Sequence, residues 1–118
     1  MKIINIINAK DALQTLSQNK NLPTRLAYKI FLLLSSVEKS LDFFETKRIE
    51  AFKKYGVKNN DGMIVPEEKM LDFTSYLKEI GEIECEEKIE KIDISLDIDL
   101  GISPAEIALL EPFINFIE

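Results

Sequence analysis

The chain has 118 residues, of which 46% are hydrophobic and 31% are charged, a balance typical of one globular domain with a single core. Its longest uncharged apolar run, from Ile30 to Val37, is far shorter than the roughly 20 residues that cross a bilayer. The N-terminus lacks a signal-peptide pattern, and the single cysteine, Cys85, excludes an internal disulfide. We therefore expect one cytoplasmic domain over residues 1–118, with no membrane association.

The net charge of −6 is divided unevenly along the chain. Up to Lys58 there are eleven Lys and Arg residues against five Asp and Glu residues, and from Asn59 onward there are four against sixteen. Such a division indicates either a docking surface for a charged partner or two halves that face each other. We favour the second interpretation, because surface charge more often serves solubility than docking.

The first two predicted elements are a strand and a short helix. Four isoleucines lie in the six residues from Lys2 to Ile7, and this β-branched run predicts a strand buried on both faces. Asn8 is a suitable N-cap for a helix from Ala9 to Gln18.

The stretch from Leu22 to Tyr55 predicts one helix about 50 Å long. Apolar residues recur in it at steps of four and three, which is the spacing of a buried helix face. The stripe consists of Ile30, Leu34, Val37, Leu41 and Phe44, and it is widened by Leu26, Phe31, Leu33 and Phe43. Gly56 is predicted to end this helix in the left-handed conformation.

A tight turn at Asp61-Gly62 and a second helix from Pro66 to about Ile80 predict an antiparallel helical hairpin. After Glu82 the apolar residues recur at every second position and no longer with the helical period of 3.6. Ile92, Ile94, Leu96, Ile98 and Leu100 alternate with Asp93, Ser95, Asp97 and Asp99. This alternation predicts a strand with one buried face, and we expect it to pair with the strand from Lys2 to Ile7.

A capping box at Ser103-Pro104-Ala105-Glu106 predicts a C-terminal helix that weakens near Pro112. The apolar tail that follows is expected to dock on the core. The predicted fold class is α+β, with a long antiparallel helical hairpin, a small β-sheet and a C-terminal capping helix.

The chain contains no histidine, which removes the commonest acid–base catalyst and metal ligand, and no phosphate-binding glycine loop. Cys85 lies among glutamates that disfavour a reactive thiolate. Asn59, Asp61, Gly62 and Glu68 match positions of a calcium loop, but Val57 at the first position offers no side-chain oxygen, so we prefer a simple turn. We predict no enzymatic activity, no metal and no cofactor.

Two surfaces are candidate partner-binding sites. The first is an acidic strand face, which either binds a partner, shares a hard cation, or is a solvated face that protects a sheet edge; its residues are Glu84, Glu86, Asp93, Asp97 and Asp99. The second is the basic end of the long helix, with Arg48, Phe52 and Tyr55. A nucleic-acid interface there is disfavoured by neighbouring acidic residues and by a pI near 4.8.

Two stretches in this order resemble a family of small uncharacterised proteins encoded by phages and prophages of Gram-positive bacteria. They are the charged helix end with Lys53-Lys54-Tyr55-Gly56 and Asp61-Gly62, and the segment from Ile102 through Ser103-Pro104-Ala105-Glu106 to Pro112. The resemblance covers most of the chain and implies a phage setting in the cytoplasm of a host cell. It implies no catalytic residues.

We accordingly predict a non-enzymatic protein that binds a phage or host protein, in particle assembly or host modulation. One alternative is an acidic inhibitor of a host defence nuclease or DNA-binding protein, comparable to an anti-CRISPR protein or a DNA mimic. The other alternative is a structural protein that assembles into a homo-oligomer through the long helix.

Overall fold

A computed structural model describes residues 1–59 and 62–118 and confirms the α+β class. Within these ranges the helices are α1 (Ile3–Ser17), α2 (Thr24–Tyr55), α3 (Glu67–Gly81) and α4 (Pro104–Leu110). The strands are β1 (Val57–Asn59), β2 (Gly62–Ile64), β3 (Ile92–Ser95) and β4 (Ile114–Ile117). β1 pairs with β2 in an antiparallel hairpin, and β3 pairs with β4 in a parallel sheet.

The predicted strand from Lys2 to Ile7 is wrong, because these residues open helix α1. Buried residues recur with helical spacing along the whole helix: Ile3, Ile6, Ala9, Ala12, Leu13 and Leu16. This helical period outweighs the strand propensity of the isoleucines, since a packed apolar face decides secondary structure more strongly than intrinsic preference. Asn8 therefore lies on the exposed side of α1 and caps nothing.

The long helix and the hairpin it forms with α3 are confirmed. The 32 residues of α2 span about 48 Å at 1.5 Å per residue, which accounts for the 50 Å length of the molecule. The rings of Phe52 and Phe73 meet edge to face, 4.9 Å apart, where α2 and α3 pack.

Gly56 follows α2 as predicted, but its left-handed conformation is wrong: φ is −84° and the backbone is extended. Glycine is needed here for space, because a Cβ atom would overlap the carbonyl oxygen of Phe52 and lie 3.1 Å from Met63 Cε. The tight turn predicted at Asp61-Gly62 and the rejected calcium loop both involve Asp61, which lies outside the described residues.

The predicted strand from Ile92 to Leu100 is correct only as far as Ser95. A turn follows, and Leu96 is exposed where the alternation predicts burial. The partner of β3 is β4, in the register Ile92↔Ile114, and is not the N-terminal segment. Parallel strands require a crossover connection, and α4 supplies it.

The capping box of α4 is confirmed, since Ser103 Oγ accepts from the Glu106 N–H and the Glu106 carboxylate accepts from the Ser103 N–H. The apolar tail docks on the core as predicted, and Phe113 is fully buried. It does so as the strand β4, because its backbone completes a sheet with β3.

The core lies at one end of the molecule, where α1, the N-terminal half of α2, the β3–β4 sheet and α4 meet. Among the described residues from 42 to 79, only Ala51 is buried. We call residues 42–79 the distal arm. It gives the chain a radius of gyration of 17.1 Å, against about 13.5 Å for a compact domain of this length. In the described ranges no helix is both long and apolar enough to span a membrane.

Candidate protein-binding surface

The five acidic residues predicted to share a strand face are dispersed, because β3 ends at Ser95. Asp93 lies on β3 and accepts a hydrogen bond from Asn115 Nδ2 at 3.1 Å. Asp97 lies in the turn after the strand, and Asp99 Oδ1 accepts from the Gly101 N–H at 2.9 Å. The prediction that these residues share one strand face is therefore wrong. Asp93, Asp97 and Asp99 are nevertheless exposed, and their role in binding stays a prediction.

Glu84 lies in the segment that meets the N-terminus, while Glu86 is exposed two residues further on. The N-terminal ammonium group donates to Glu84 Oε2 at 2.9 Å, and Lys2 pairs with Glu82. The hydrogen bond with Glu82 raises the pKa of Lys2 and lowers that of Glu82. The acidic half of the sequence thus partly faces the basic half. Residues 1–59 and 62–118 hold no group of three or more Cys, Asp or Glu residues fit to bind a metal ion.

At the basic end of α2, contacts within the chain engage the three predicted side chains. Arg48 forms an ion pair with Glu45, and its hydrogen bond to that carboxylate lowers the pKa of Glu45. The Arg48 guanidinium group also lies over the ring of Phe52. Phe52 packs on α3 as described above. Tyr55 is half-buried beside the Lys54 ammonium group, 5.2 Å from the ring centroid. Contacts within the chain therefore explain much of the basic and aromatic pattern at this end of α2, and a role of these three residues in partner binding stays a prediction.

A polar cluster links α2 to the segment before β3. Ser40 is buried, and its hydroxyl donates to Glu87 Oε2 at 3.1 Å and lies 3.2 Å from Cys85 Sγ. The Cys85 thiol donates to the same carboxylate oxygen at 2.8 Å. This hydrogen bond is the main reason that the pKa of Glu87 lies below its usual range. The cluster holds the irregular segment against α2.

The most exposed apolar surface on the core end is the outer side of α2, which the sequence interpretation missed. Tyr28 and Phe31 are each 60% exposed, and their rings stack with centroids 6.2 Å apart. Leu32 beside them is also exposed. We call these three residues the α2 ridge.

An apolar groove runs along the ridge, between α1 and α2. Its volume is 330 Å³, and Leu13, Phe31, Leu34 and Leu41 form its apolar lining. Polar residues, Lys10, Gln14, Ser35 and Glu38, complete the lining. A smaller cavity of 140 Å³ shares Phe31 and Leu34 and continues the groove toward the loop between the helices. The result is one elongated apolar depression with an aromatic pair at its edge.

The run from Ile30 to Val37 is the sequence feature that could have revealed this surface. Successive helix residues point about 100° apart, so the six apolar residues among these eight surround the helix. Ile30, Leu33 and Val37 face the core, which leaves Phe31 exposed. The placement of Phe31 in the buried stripe is therefore wrong, and Phe43, also placed there, is 40% exposed.

No known protein family, curated protein or solved structure matches this chain.

Proposed function

We propose that this chain is a non-enzymatic protein that acts by binding another protein, and that the apolar groove with the α2 ridge is its binding surface. The observation that carries the proposal is the exposed stacked pair Tyr28 and Phe31, of which Phe31 lines that groove. Large exposed apolar patches on a folded chain are typical of interaction sites, and aromatic side chains contribute most of the energy in many interfaces. The absence of histidine from the sequence supports a role without catalysis.

The groove suits an amphipathic helix of the partner. It lies between two helices joined by a short loop, and its lining on α2 extends from Phe31 to Leu41. This is about 15 Å, or nearly three helical turns. A third helix can pack along such a seam with apolar residues at every third or fourth position. Lys10 and Glu38 at the rim would then pair with charges of either sign.

The biological setting that we propose rests on the sequence resemblance alone. It is a phage or prophage protein in the cytoplasm of a host cell, with a phage or host protein as its partner. Particle assembly and host modulation are both compatible with a surface of this kind.

The test is affinity capture from the cell that carries the gene, with native bait and two double variants. In the first variant, Tyr28→Gln and Phe31→Gln remove the ridge aromatics while keeping residues that tolerate a helix. The matched control carries Met70→Gln and Leu71→Gln, because Leu71, on the distal arm, is the most exposed large apolar residue of the described chain at 76%.

We expect the ridge variant to lose the partner and the arm variant to retain it. Loss of two interface aromatics commonly costs more than 2 kcal/mol, or roughly a thirtyfold decrease in affinity. Loss of the partner with the arm variant alone would place the interface on the distal arm. Equal capture by all three baits would contradict the proposal.

Self-assembly is a second candidate, favoured by the length of α2 and by its exposed apolar side. A dimer formed through the same ridge would bury Tyr28 and Phe31 against a second copy. Sedimentation equilibrium tests this directly: the native chain would show twice the monomer mass and the ridge variant would show the monomer mass. A native chain that stays monomeric at high concentration removes this candidate.

The acidic inhibitor is a third candidate, because residues 80–118 contain eleven acidic residues and two lysines. Its test is the triple variant Asp93→Asn, Asp97→Asn and Asp99→Asn in the same capture experiment, with and without nuclease. A host nuclease or DNA-binding protein that is captured by the native chain and lost with this variant would support it. Equal capture by both baits would exclude it.

A further inference from the structure

A second and larger groove lies on the other side of the α2 ridge, between α2 and the chain that enters β3. Its volume is 700 Å³. Leu32, Leu33 and Ser36 line it from α2, and Ile92 and Asp93 line it from β3. Ile92 is buried and Asp93 is exposed, so the two side chains point to opposite faces of the sheet. A groove that both residues line reaches the edge of β3 at the start of the strand, and we call it the edge groove.

The edge of β3 that borders this groove has free backbone groups. The Ile92 N–H donates to the Phe113 carbonyl at 3.0 Å, and the Leu96 N–H donates to the Ile117 carbonyl at 2.7 Å. Every second residue therefore bonds to β4, and the backbone groups of Asp93 and Ser95 point to the opposite edge of the strand, which the groove reaches at Asp93. Within residues 1–59 and 62–118, the N–H groups of Asp93 and Ser95 and the Asp93 carbonyl have no backbone partner.

The charge around the edge groove is positive although the chain is acidic. Lys29, Lys88 and Lys91 line it, and none of them forms an ion pair with another described residue. Lys88 and Lys91 are the only two cationic residues between positions 80 and 118. The lining also holds two acidic residues, Glu90 and Asp93, so its five charged side chains carry a formal net charge of +1. An anionic ligand is thus favoured at this edge.

We propose that the edge groove binds an extended acidic segment of a partner protein, which adds to β3 as a third strand. The free groups of Asp93 and Ser95 supply the main-chain hydrogen bonds, as in other complexes formed by strand addition. The exposed Leu32 provides an apolar contact along one side, and the three lysines attract carboxylates. This site lies across the ridge from the apolar groove, and the inference does not depend on helix binding there.

The test is selection of random linear segments from a display library, with segments of about eight residues that cover β3 and both flanks at roughly 3.3 Å per residue. The baits are the native chain, the double variant Lys88→Glu and Lys91→Glu, and the charge-matched control Lys20→Glu and Lys69→Glu. Both control lysines are exposed and lie outside the groove. A selected segment is then synthesised with its normal backbone and with N-methyl groups that block strand pairing.

We expect the native and control baits to enrich segments rich in Asp and Glu, and the groove variant to bind them about tenfold more weakly or worse. The N-methylated peptide should not bind, and binding of the normal peptide should slow amide exchange at Asp93 and Ser95. Three outcomes would overturn the proposal: no acidic enrichment over background, equal binding by the groove variant and its control, or full binding of the N-methylated peptide.

Discussion

Ile30 and Phe31 are neighbours in the sequence and differ completely in burial, because consecutive helix residues point in different directions. Ile30 belongs to the core and is 1% exposed, whereas Phe31 is 60% exposed and lines the apolar groove. Both are large and apolar, and only the packing of α1 on one side of α2 separates them. At the scale of the residue, we therefore expect Ile30 to contribute to stability and Phe31 to contribute to partner binding.

Substitution of each residue by alanine tests this division. Ile30→Ala should lower the free energy of unfolding by about 3 kcal/mol, since it removes buried methyl groups and leaves a cavity. Phe31→Ala should cost about 1 kcal/mol or less, because more than half of the ring is already in water. Denaturant unfolding of both variants gives the two values. Comparable losses would show that Phe31 belongs to the core.

The hydrogen bond from Cys85 to Glu87 predicts a measurable pH dependence. It lowers the pKa of Glu87 in the folded chain relative to the unfolded chain. The corresponding stabilisation is therefore complete above the ordinary carboxylate pKa of about 4.3 and is lost as the pH falls through the folded pKa. Cys85→Ala removes the largest cause of the shift, while Ser40 continues to donate.

Denaturant midpoints measured from about pH 6 down to pH 3 should decline less steeply for Cys85→Ala than for the native chain. Glu87→Gln is the control, because it abolishes the titration of residue 87. Its denaturant midpoint should decline as little as that of Cys85→Ala, or less. Parallel curves for the native chain and Cys85→Ala would show that the thiol does not hold the carboxylate.

At the scale of the element, α1 shows why local composition misled the prediction. The segment from Lys2 to Ile7 is rich in β-branched residues, yet Ile3 and Ile6 continue a helical stripe that extends to Leu16. In a strand buried on both faces, Ile6 and Ile7 would both be fully packed. In the helix, Ile6 is fully buried and Ile7 lies at the margin of the packed face.

The pair Ile6→Ala and Ile7→Ala separates the two arrangements. We expect a loss of about 3 kcal/mol for Ile6 and a clearly smaller one, about 1 kcal/mol, for Ile7. The far-UV circular dichroism of both variants should remain helical. Equal losses at the two positions would favour the strand.

The elements that the sequence predicts well are those whose signals are local. Pro23 and Gly56 bracket α2 within a residue or two, and Ser103 with Glu106 defines the start of α4. The β3–β4 pairing depends instead on a tail twenty residues further along the chain, and alternation up to Leu100 cannot show where the strand leaves the sheet. The α2 ridge was missed for the same reason: an apolar run does not reveal which of its sides another element covers.

At the scale of the whole molecule, the core and the distal arm are distinct parts. The core end buries the inner faces of α1, half of α2 and the β3–β4 sheet, while the distal arm, in which α3 packs on the C-terminal part of α2, has one buried residue among those described. This shape explains a radius of gyration well above that of a compact domain. Both proposed binding grooves flank the core half of α2, so the end of the chain that holds the packed core carries them.

Small-angle scattering of the monomer should report this elongation. We expect a radius of gyration of at least 17.1 Å, the value of the Cα trace, since hydration adds to it. A value close to about 13.5 Å would mean that the arm folds back on the core. The measurement is made at several concentrations, because self-association would also raise the value.

The central claim is that the α2 ridge contacts a partner protein, and site-specific photocrosslinking tests it most directly. A photoreactive phenylalanine analogue is placed at Phe31, and in a separate chain at Leu71 on the distal arm, in the cell that carries the gene. We predict a covalent adduct with a second protein from position 31 and none from position 71. An adduct from position 71 alone, or no adduct from position 31 while the chain is folded and abundant, would contradict the claim.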